Sequence, residues 1–195
     1  MTETSTHMIN GVDQNAIFAT IEAVNGDNEL AQFEFRIENQ WLGGGLNKTT
    51  VKDFHGTKQD IDHETPFEIY NDEPPVLLSG DKGPNPVENL LHALAGCLTT
   101  SIVYHATANG IPVKSIKTRF EGDLDLRGFL GMSEDVRNGY SGIRAYFEID
   151  GDMSVDQKRE MMAMGPRFSP VFDVITNGTP VTCRIEEDAV SEVAA

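Results

Sequence analysis

Residues 83–97 read Gly-Pro-Asn-Pro-Val-Glu-Asn-Leu-Leu-His-Ala-Leu-Ala-Gly-Cys, and the chain continues Leu98-Thr-Thr-Ser-Ile-Val-Tyr-His105. The stretch predicts one long helix with a single thiol near its middle. Asn85 suits the N-cap, Pro86 suits the first helical position, and Glu88 can close a capping box on the Asn85 backbone N–H. Apolar side chains follow at Val87, Leu90, Leu91, Leu94, Leu98 and Ile102, close to a helical period. Asn109-Gly110 ahead of Pro112 ends the run, since glycine accepts the left-handed conformation after a last turn. The helix is expected over about residues 86–108. Few charges interrupt it, so burial on most sides is expected.

Outward from the helix, the pattern changes to strands. Residues 1–14 read as a flexible polar lead, and residues 15–195 as a single α+β domain. Residues 15–25 are expected to begin a strand, with Gly26-Asp27-Asn28 as turn chemistry. From Leu30 to Glu38 apolar and polar side chains alternate, the mark of a half-buried antiparallel strand. Strands are also expected over 49–54, 66–70, 112–125, 142–149 and 179–186. Ser154 and Gln157 form a second capping box, opening a helix through about Met164 before Gly165-Pro166. Ser169-Pro170 caps a short helix ending at Asn177-Gly178. Strands and helices segregate without βαβ alternation or internal repeat, which places the fold in the α+β class.

Composition excludes some partners. The 195 residues carry 31 acidic against 15 basic side chains, a formal charge of −16. Nucleic acid and anionic membrane surfaces demand a basic footprint, so both are excluded as partners. No apolar run reaches the length of a membrane span, and residues 1–15 lack a signal-peptide layout. Two cysteines in a chain this long do not make a secreted disulfide framework. A reduced, cytoplasmic setting is expected.

Cys97 would stand about twelve residues into the helix, beyond strong help from the macrodipole. A buried free cysteine is commonly a small core hydrophobe. Against that reading, Ala95 and Gly96 leave room beside the thiol, and Thr100 and Ser101 lie one turn on, able to hydrogen-bond a thiolate or ligand. Glu88 precedes Cys97 by nine residues, about 900° of helix and roughly 13 Å, so the two cannot meet in one chain. Glu88 acts as the capping-box acid, or at the thiol of a second subunit, or through an arginine that bridges to Cys97. Cys183, in Val181-Thr182-Cys183-Arg184-Ile185, is expected to face the core from a strand. The five histidines show no paired ligand spacing, and His105 is turned too far from Cys97 for a dyad, so neither a metal nor a cofactor is expected. Gly43-Gly44-Gly45 lacks the lysine and parallel-strand context of a phosphate loop.

Pro84-Asn85-Pro86-Val87-Glu88, Leu94-Ala95-Gly96-Cys97, the segment 122–131 and Arg167-Phe168-Ser169-Pro170-Val171 resemble the OsmC/Ohr family of thiol hydroperoxide reductases, over about residues 30–187. The resemblance implies an intertwined homodimer with antiparallel sheets around long central helices and active sites between subunits. It implies that Cys97 is the peroxidatic thiol, oxidised to a sulfenic acid by an organic hydroperoxide. The family's resolving cysteine falls on Ser169, which keeps the helix-capping role and cannot form the disulfide. The family's arginine falls near residues 43–49, where Lys48 offers a point charge in place of a planar fork. The family's glutamate also falls one residue earlier, on Val87. Two readings follow from the resemblance. One is a single-cysteine peroxidase using Cys97, Glu88 and Lys48, with Thr100 and Ser101 in its pocket and an external thiol as reductant. The other is an inactive relative that binds a small apolar ligand between subunits; a purely structural dimer is a third. Arg36, Arg119, Arg144 and Arg167 are further candidates for a cation supplied by the second subunit.

Overall fold

The computed structural model of the chain describes residues 6–185. Its centre is α2, Pro86–Ala108, with the expected cap. The Asn85 side chain accepts from the Val87 N–H at 2.9 Å, and the Asn85 N–H donates to Glu88 Oε2 at 2.8 Å. Leu94, Leu98, Ile102 and Ala106 lie on the buried stripe. Within one chain the helix is buried along that stripe only, and the expectation of burial on most sides does not hold: Leu90 is 40% and Tyr104 50% exposed.

Two helices and a hairpin cover that stripe. Strands β7 (Ser115–Asp123) and β8 (Gly142–Asp150) pair antiparallel from Ser115↔Asp150 to Asp123↔Gly142. One face carries Ile116 and Phe120 with Ile143, Phe147 and Ile149; the other carries Lys117, Arg119 and Glu121 against Glu148, Tyr146 and Arg144. Ile116, Phe147 and Ile149 pack on the core of Ile102, Ala106 and Met161. A single helical turn, α3 (Leu126–Phe129), sits in the excursion between the strands. Helix α4, Val155–Phe168, opens on the expected Ser154–Gln157 box and continues through Pro166, four residues past the expected end. Gly165 lets it approach α2: a Cβ there would stand 3.2–3.3 Å from Ile102 and Leu98. Ser169 then closes α4 and opens α5, Pro170–Asn177, accepting from the Phe172 N–H at 3.1 Å.

The first half of the chain forms its own sheet. Strand β5 (Leu46–Gly56) pairs with β3 (Glu34–Phe35), β4 (Glu38–Gly43) and β6 (Gln59–Asn71), all antiparallel. Gly43 and Gly44 make the β4–β5 turn at φ +111° and +59°, conformations that favour glycine. A Cβ on Gly45 would strike the Asp72 and Glu73 side chains, so the glycine triplet serves a tight turn and a close approach. The strands pack mainly on one another, with only a thin contact to α2.

Three expected strands fail. Residues 15–25 form a helix, α1 (Gln14–Gly26), capped by Asp13, in place of the expected strand; Ile17, Phe18, Ile21 and Val24 follow a helical period. The 30–38 strand is broken by a 3-10 turn at Asn28–Ala31, which the Asp27 carboxylate caps by accepting from the Glu29 N–H. Residues 179–185 carry no regular structure, and Cys183 is exposed instead of core-facing, with Val181 79% and Ile185 67% exposed beside it. Glu186 lies outside the described residues. Of the expected lead, Met8–Ile9 (β1) and Val12–Asp13 (β2) make a small hairpin over the end of α2. Its Asn10 side chain donates to the Thr107 hydroxyl and the Ile111 carbonyl and accepts from the Val113 N–H.

Candidate active site on the central helix

The start of α2 is held from three directions. Asn85 also donates to the Glu73 carboxylate, and Tyr140 donates its hydroxyl to the Val87 carbonyl at 2.9 Å. Asp72, 1% exposed, accepts from the Ser79 hydroxyl at 2.6 Å and from the Glu73 and Lys82 N–H groups. These bonds hold the Asp72 carboxyl below the usual carboxylate range, the Ser79 hydroxyl contributing most. Glu73 moves the other way, raised first by burial and then by the charges of Asp72 and Glu88. Burial, and next Glu88, raise the Tyr140 phenol.

Cys97 is a free thiol, half-buried, in the middle of this anchored rod. At about 100° per residue it stands one turn beyond Ala93 and Leu94, on the strip between their two faces. Each face borders an opening. Ala93 lines a cleft of about 680 Å³ with Glu88, Asn89 and His92 from the same helix and Thr49, Ile69 and Asn71 from the first sheet. Leu94 lines a second cleft of about 450 Å³, walled by β8, α5 and the loop before β8. Ser101, half-buried, continues the Cys97 strip one turn on, while Thr100 is exposed toward the first cleft's side. Cys97 itself lines neither cleft; its neighbours one turn back, Ala93 and Leu94, do.

The remaining site residues are not gathered around that thiol within one chain. Glu88 lines the first cleft from the first turn of the helix, nine residues before Cys97, and spends one carboxylate oxygen on the capping box. Lys48 projects from β5 on the face opposite Thr49, where its ammonium holds Glu68 at 2.9 Å. That bond raises the Lys48 pKa, so the residue stays cationic and engaged. Arg36 holds Asp53 and Asp60, Arg119 holds Glu121, Arg144 holds Asp123, and Arg167 lies over the Phe168 ring at 4.9 Å. His105 stacks on Phe168 with ring centres 3.7 Å apart, and burial, then Arg167, lowers its pKa. It is a packing residue and no base for Cys97.

Ser169 is 2% exposed and capped into α5, at the junction where α4 meets α2. Its hydroxyl occupies the position where a second thiol is expected. His92, Asn89, Tyr140 and Arg137 reach the two clefts without having been singled out from sequence. His92 follows Glu88 by one helical turn, a spacing that was available but unremarkable on an exposed face. Among the described residues no three His, Cys, Asp or Glu side chains gather as metal ligands, and no helix is long and apolar enough to cross a membrane.

Comparison with known proteins agrees with this architecture. The chain's fold is similar to that of an OsmC-like protein from Mycoplasma pneumoniae, at 19% identity and a TM-score of 0.55, covering 73% of this chain and 86% of that one. A putative osmotic stress induced and detoxification response protein from Psychrobacter arcticus is similar at 15% identity and 0.53, over 73% and 88%. An OsmC-like protein of unknown function from Vibrio cholerae is similar at 12% and 0.53, over 73% and 94%. At these identities the likeness concerns the fold alone. No protein of curated function matches the chain. Residues 79–184, which hold α2, the β7–β8 hairpin, α4, α5 and Cys97, match the family described as OsmC-like protein, and the chain belongs to that family.

Proposed function

We propose that the protein is a single-cysteine, thiol-dependent peroxidase that works as a homodimer on organic hydroperoxides. The observation that carries the reading is the free, half-buried Cys97 on the strip between two open clefts of a firmly capped helix. The Cys97 thiolate attacks the terminal oxygen of R–O–OH; an S–O bond forms, the O–O bond breaks, and the alkoxide leaves as ROH after taking a proton. The product is Cys97 sulfenic acid. An external thiol then attacks the sulfur, water departs, and a second equivalent of that thiol releases Cys97 and leaves as the disulfide. Ser169 supports the need for an external reductant, since a hydroxyl cannot resolve the sulfenic acid. A thiol cycle of this kind suits a reducing cytoplasm.

Surface area supports the second copy. The chain exposes 14430 Å², whereas a compact monomer of 21.4 kDa exposes about 9,100 Å². The difference amounts to several thousand Å². Obligate homodimers bury areas of that order. Phe33, Phe35, Ile37, Trp41 and Phe67, in or beside the first sheet, are all at least half exposed. In such a dimer the cation beside Cys97 would come from the second chain. Lys48 then serves as the thiolate's cation only by exchanging Glu68.

The test is steady-state turnover of cumene hydroperoxide with dithiothreitol or glutathione. Turnover by the wild type and none by Cys97→Ser is expected, with a Cys97 sulfenic acid trapped after one equivalent of peroxide. Turnover that survives Cys97→Ser refutes the reading. The in-chain engagement of Lys48, Arg36, Arg119 and Arg144, together with Ser169, favours a second reading: an inactive relative that binds a small apolar ligand between subunits. An ordinary or raised thiol pKa in a pH titration of Cys97 alkylation would select it.

A further inference from the structure

We infer that the cleft beside Leu94 is a binding site for an amphiphilic monocarboxylate, its tail among the leucines of α2 and its carboxylate on Arg137. The cleft encloses about 450 Å³, within the range of small-molecule sites. Leu90, Leu94 and Leu98 form one wall, Ile143 and Ala145 of β8 the floor, and Phe172 and Ile175 of α5 the far side. Polar groups at the rim are already engaged: the Thr176 hydroxyl donates to the Phe172 carbonyl at 2.7 Å, and that of Ser141 to the Asp123 carbonyl at 3.1 Å. Arg137 differs from them.

In this strongly acidic chain Arg36, Arg119, Arg127, Arg144 and Arg159 each hold a carboxylate. Arg137 holds none, and its guanidinium has no hydrogen-bond partner among the described residues, although Glu134 and Asp135 are near in sequence. The loop that presents it is fixed. A Cβ on Gly128 would stand 2.6 Å from the Arg137 carbonyl oxygen, and one on Gly122 would stand 2.4 Å from the Tyr140 ring, so both glycines permit close packing of the loop. The Tyr140 hydroxyl then ties the loop to α2. An apolar slot with one free planar cation at its rim matches an ionised carboxylate on a hydrocarbon tail. A neutral tail would leave the guanidinium unused, and an ammonium would meet it with like charge. The inference rests on the cleft and holds whether or not Cys97 reduces peroxide.

Isothermal titration of the full chain with octanoate, octanol and octylammonium tests it. Octanoate is expected to bind at least tenfold more tightly than octanol, and octylammonium more weakly still. Arg137→Gln should weaken octanoate about tenfold and leave octanol unchanged, while Arg137→Lys keeps part of the preference. Thr176→Trp, at the exposed rim, should weaken octanoate and octanol together. Absent octanoate binding, equal binding of octanoate and octanol, or octanoate binding unchanged in Arg137→Gln overturns the inference. Loss of peroxide turnover in Cys97→Ser with octanoate binding intact separates it from the redox reading.

Discussion

Phe35→Asp probes whether a second copy covers the first sheet. Phe35 is 76% exposed on β3, with its ring stacked on Phe33 at 6.0 Å and on Phe54 at 5.6 Å. A phenylalanine offers about 200 Å² of surface, so a partner would remove roughly 150 Å² from water here, worth about 4 kcal/mol per copy. A two-fold dimer contains the contact twice, for about 8 kcal/mol in all. Each 1.4 kcal/mol is a factor of ten, so one copy alone accounts for roughly a thousandfold in dissociation constant. On a free monomer the same substitution loses only the Phe33 and Phe54 ring contacts, about 1–3 kcal/mol of folding stability, and leaves the mass and its concentration dependence unchanged. Size-exclusion chromatography with light scattering reads the difference directly. The wild type is expected at twice the 21.4 kDa chain mass, with a urea midpoint that rises with protein concentration. The variant is expected to dissociate at micromolar concentration and lose that dependence. A wild-type mass of 21.4 kDa, or a variant that keeps both the dimeric mass and the wild-type midpoint, refutes the covered-sheet argument.

Four further substitutions, at three positions, read other parts of the structure. Ser169→Ala should cost about 1 kcal/mol through the lost α5 cap, seen as a lower urea midpoint; Ser169→Cys, if α5 stands against the Cys97 side of α2, should gain a peroxide-induced intramolecular disulfide lighter by two hydrogens. Gly165→Val should lower stability by about 1–3 kcal/mol, because its side chain meets Ile102 and Leu98 at contact distance; an unchanged melting temperature would refute that packing. The Asp72 carboxyl titrates below its unfolded value of 3.8, so over that window the unfolded chain binds more protons. The resulting stability is present above the ordinary carboxylate range and is lost as pH falls through the folded pKa. Asp72→Asn should therefore show a shallower acid limb in thermal stability between pH 5 and pH 2, and parallel acid limbs would remove Asp72 from the account.

What the sequence made legible was decided locally. The Asn85–Glu88 and Ser154–Gln157 boxes satisfy backbone groups within three residues, so their helices begin where the side chains say they must. Ser169-Pro170 is read the same way. The failures come from contacts made at a distance or not made within the chain. Gly165-Pro166 looks like a stop, yet α4 passes through it because the missing Cβ lets α2 pack there and Pro166 sits near the end of the helix, where little of the ladder remains to be lost. Residues 15–25 show that a short apolar run is ambiguous until its period is counted against its cap: Asp13 settles the matter for α1. Val181, Cys183 and Ile185 alternate as a strand should, but no described strand of the same chain receives them.

The same distinction explains the site. Cys97 was legible because its strip is a property of one helix, and so was its separation from Glu88, since nine residues of helix place the two on opposite sides. No rearrangement of side chains within one chain closes a gap of roughly 13 Å along a rigid rod. Lys48 and Glu88 are divided again by the pleat of β5, which turns Lys48 toward Glu68 and Thr49 toward the Glu88 cleft. A peroxidatic thiol still needs a nearby cation to hold its anionic form. Lys48, Arg36, Arg119 and Arg144 are held by carboxylates of their own chain, so any of them reaching the Cys97 strip of a second chain would exchange an ion pair to do so. The pH at which Cys97 is alkylated, measured in the dimer and in a dissociated Phe35→Asp variant, therefore decides between catalyst and container. A thiolate that forms at lower pH only in the dimer means that association itself completes the site.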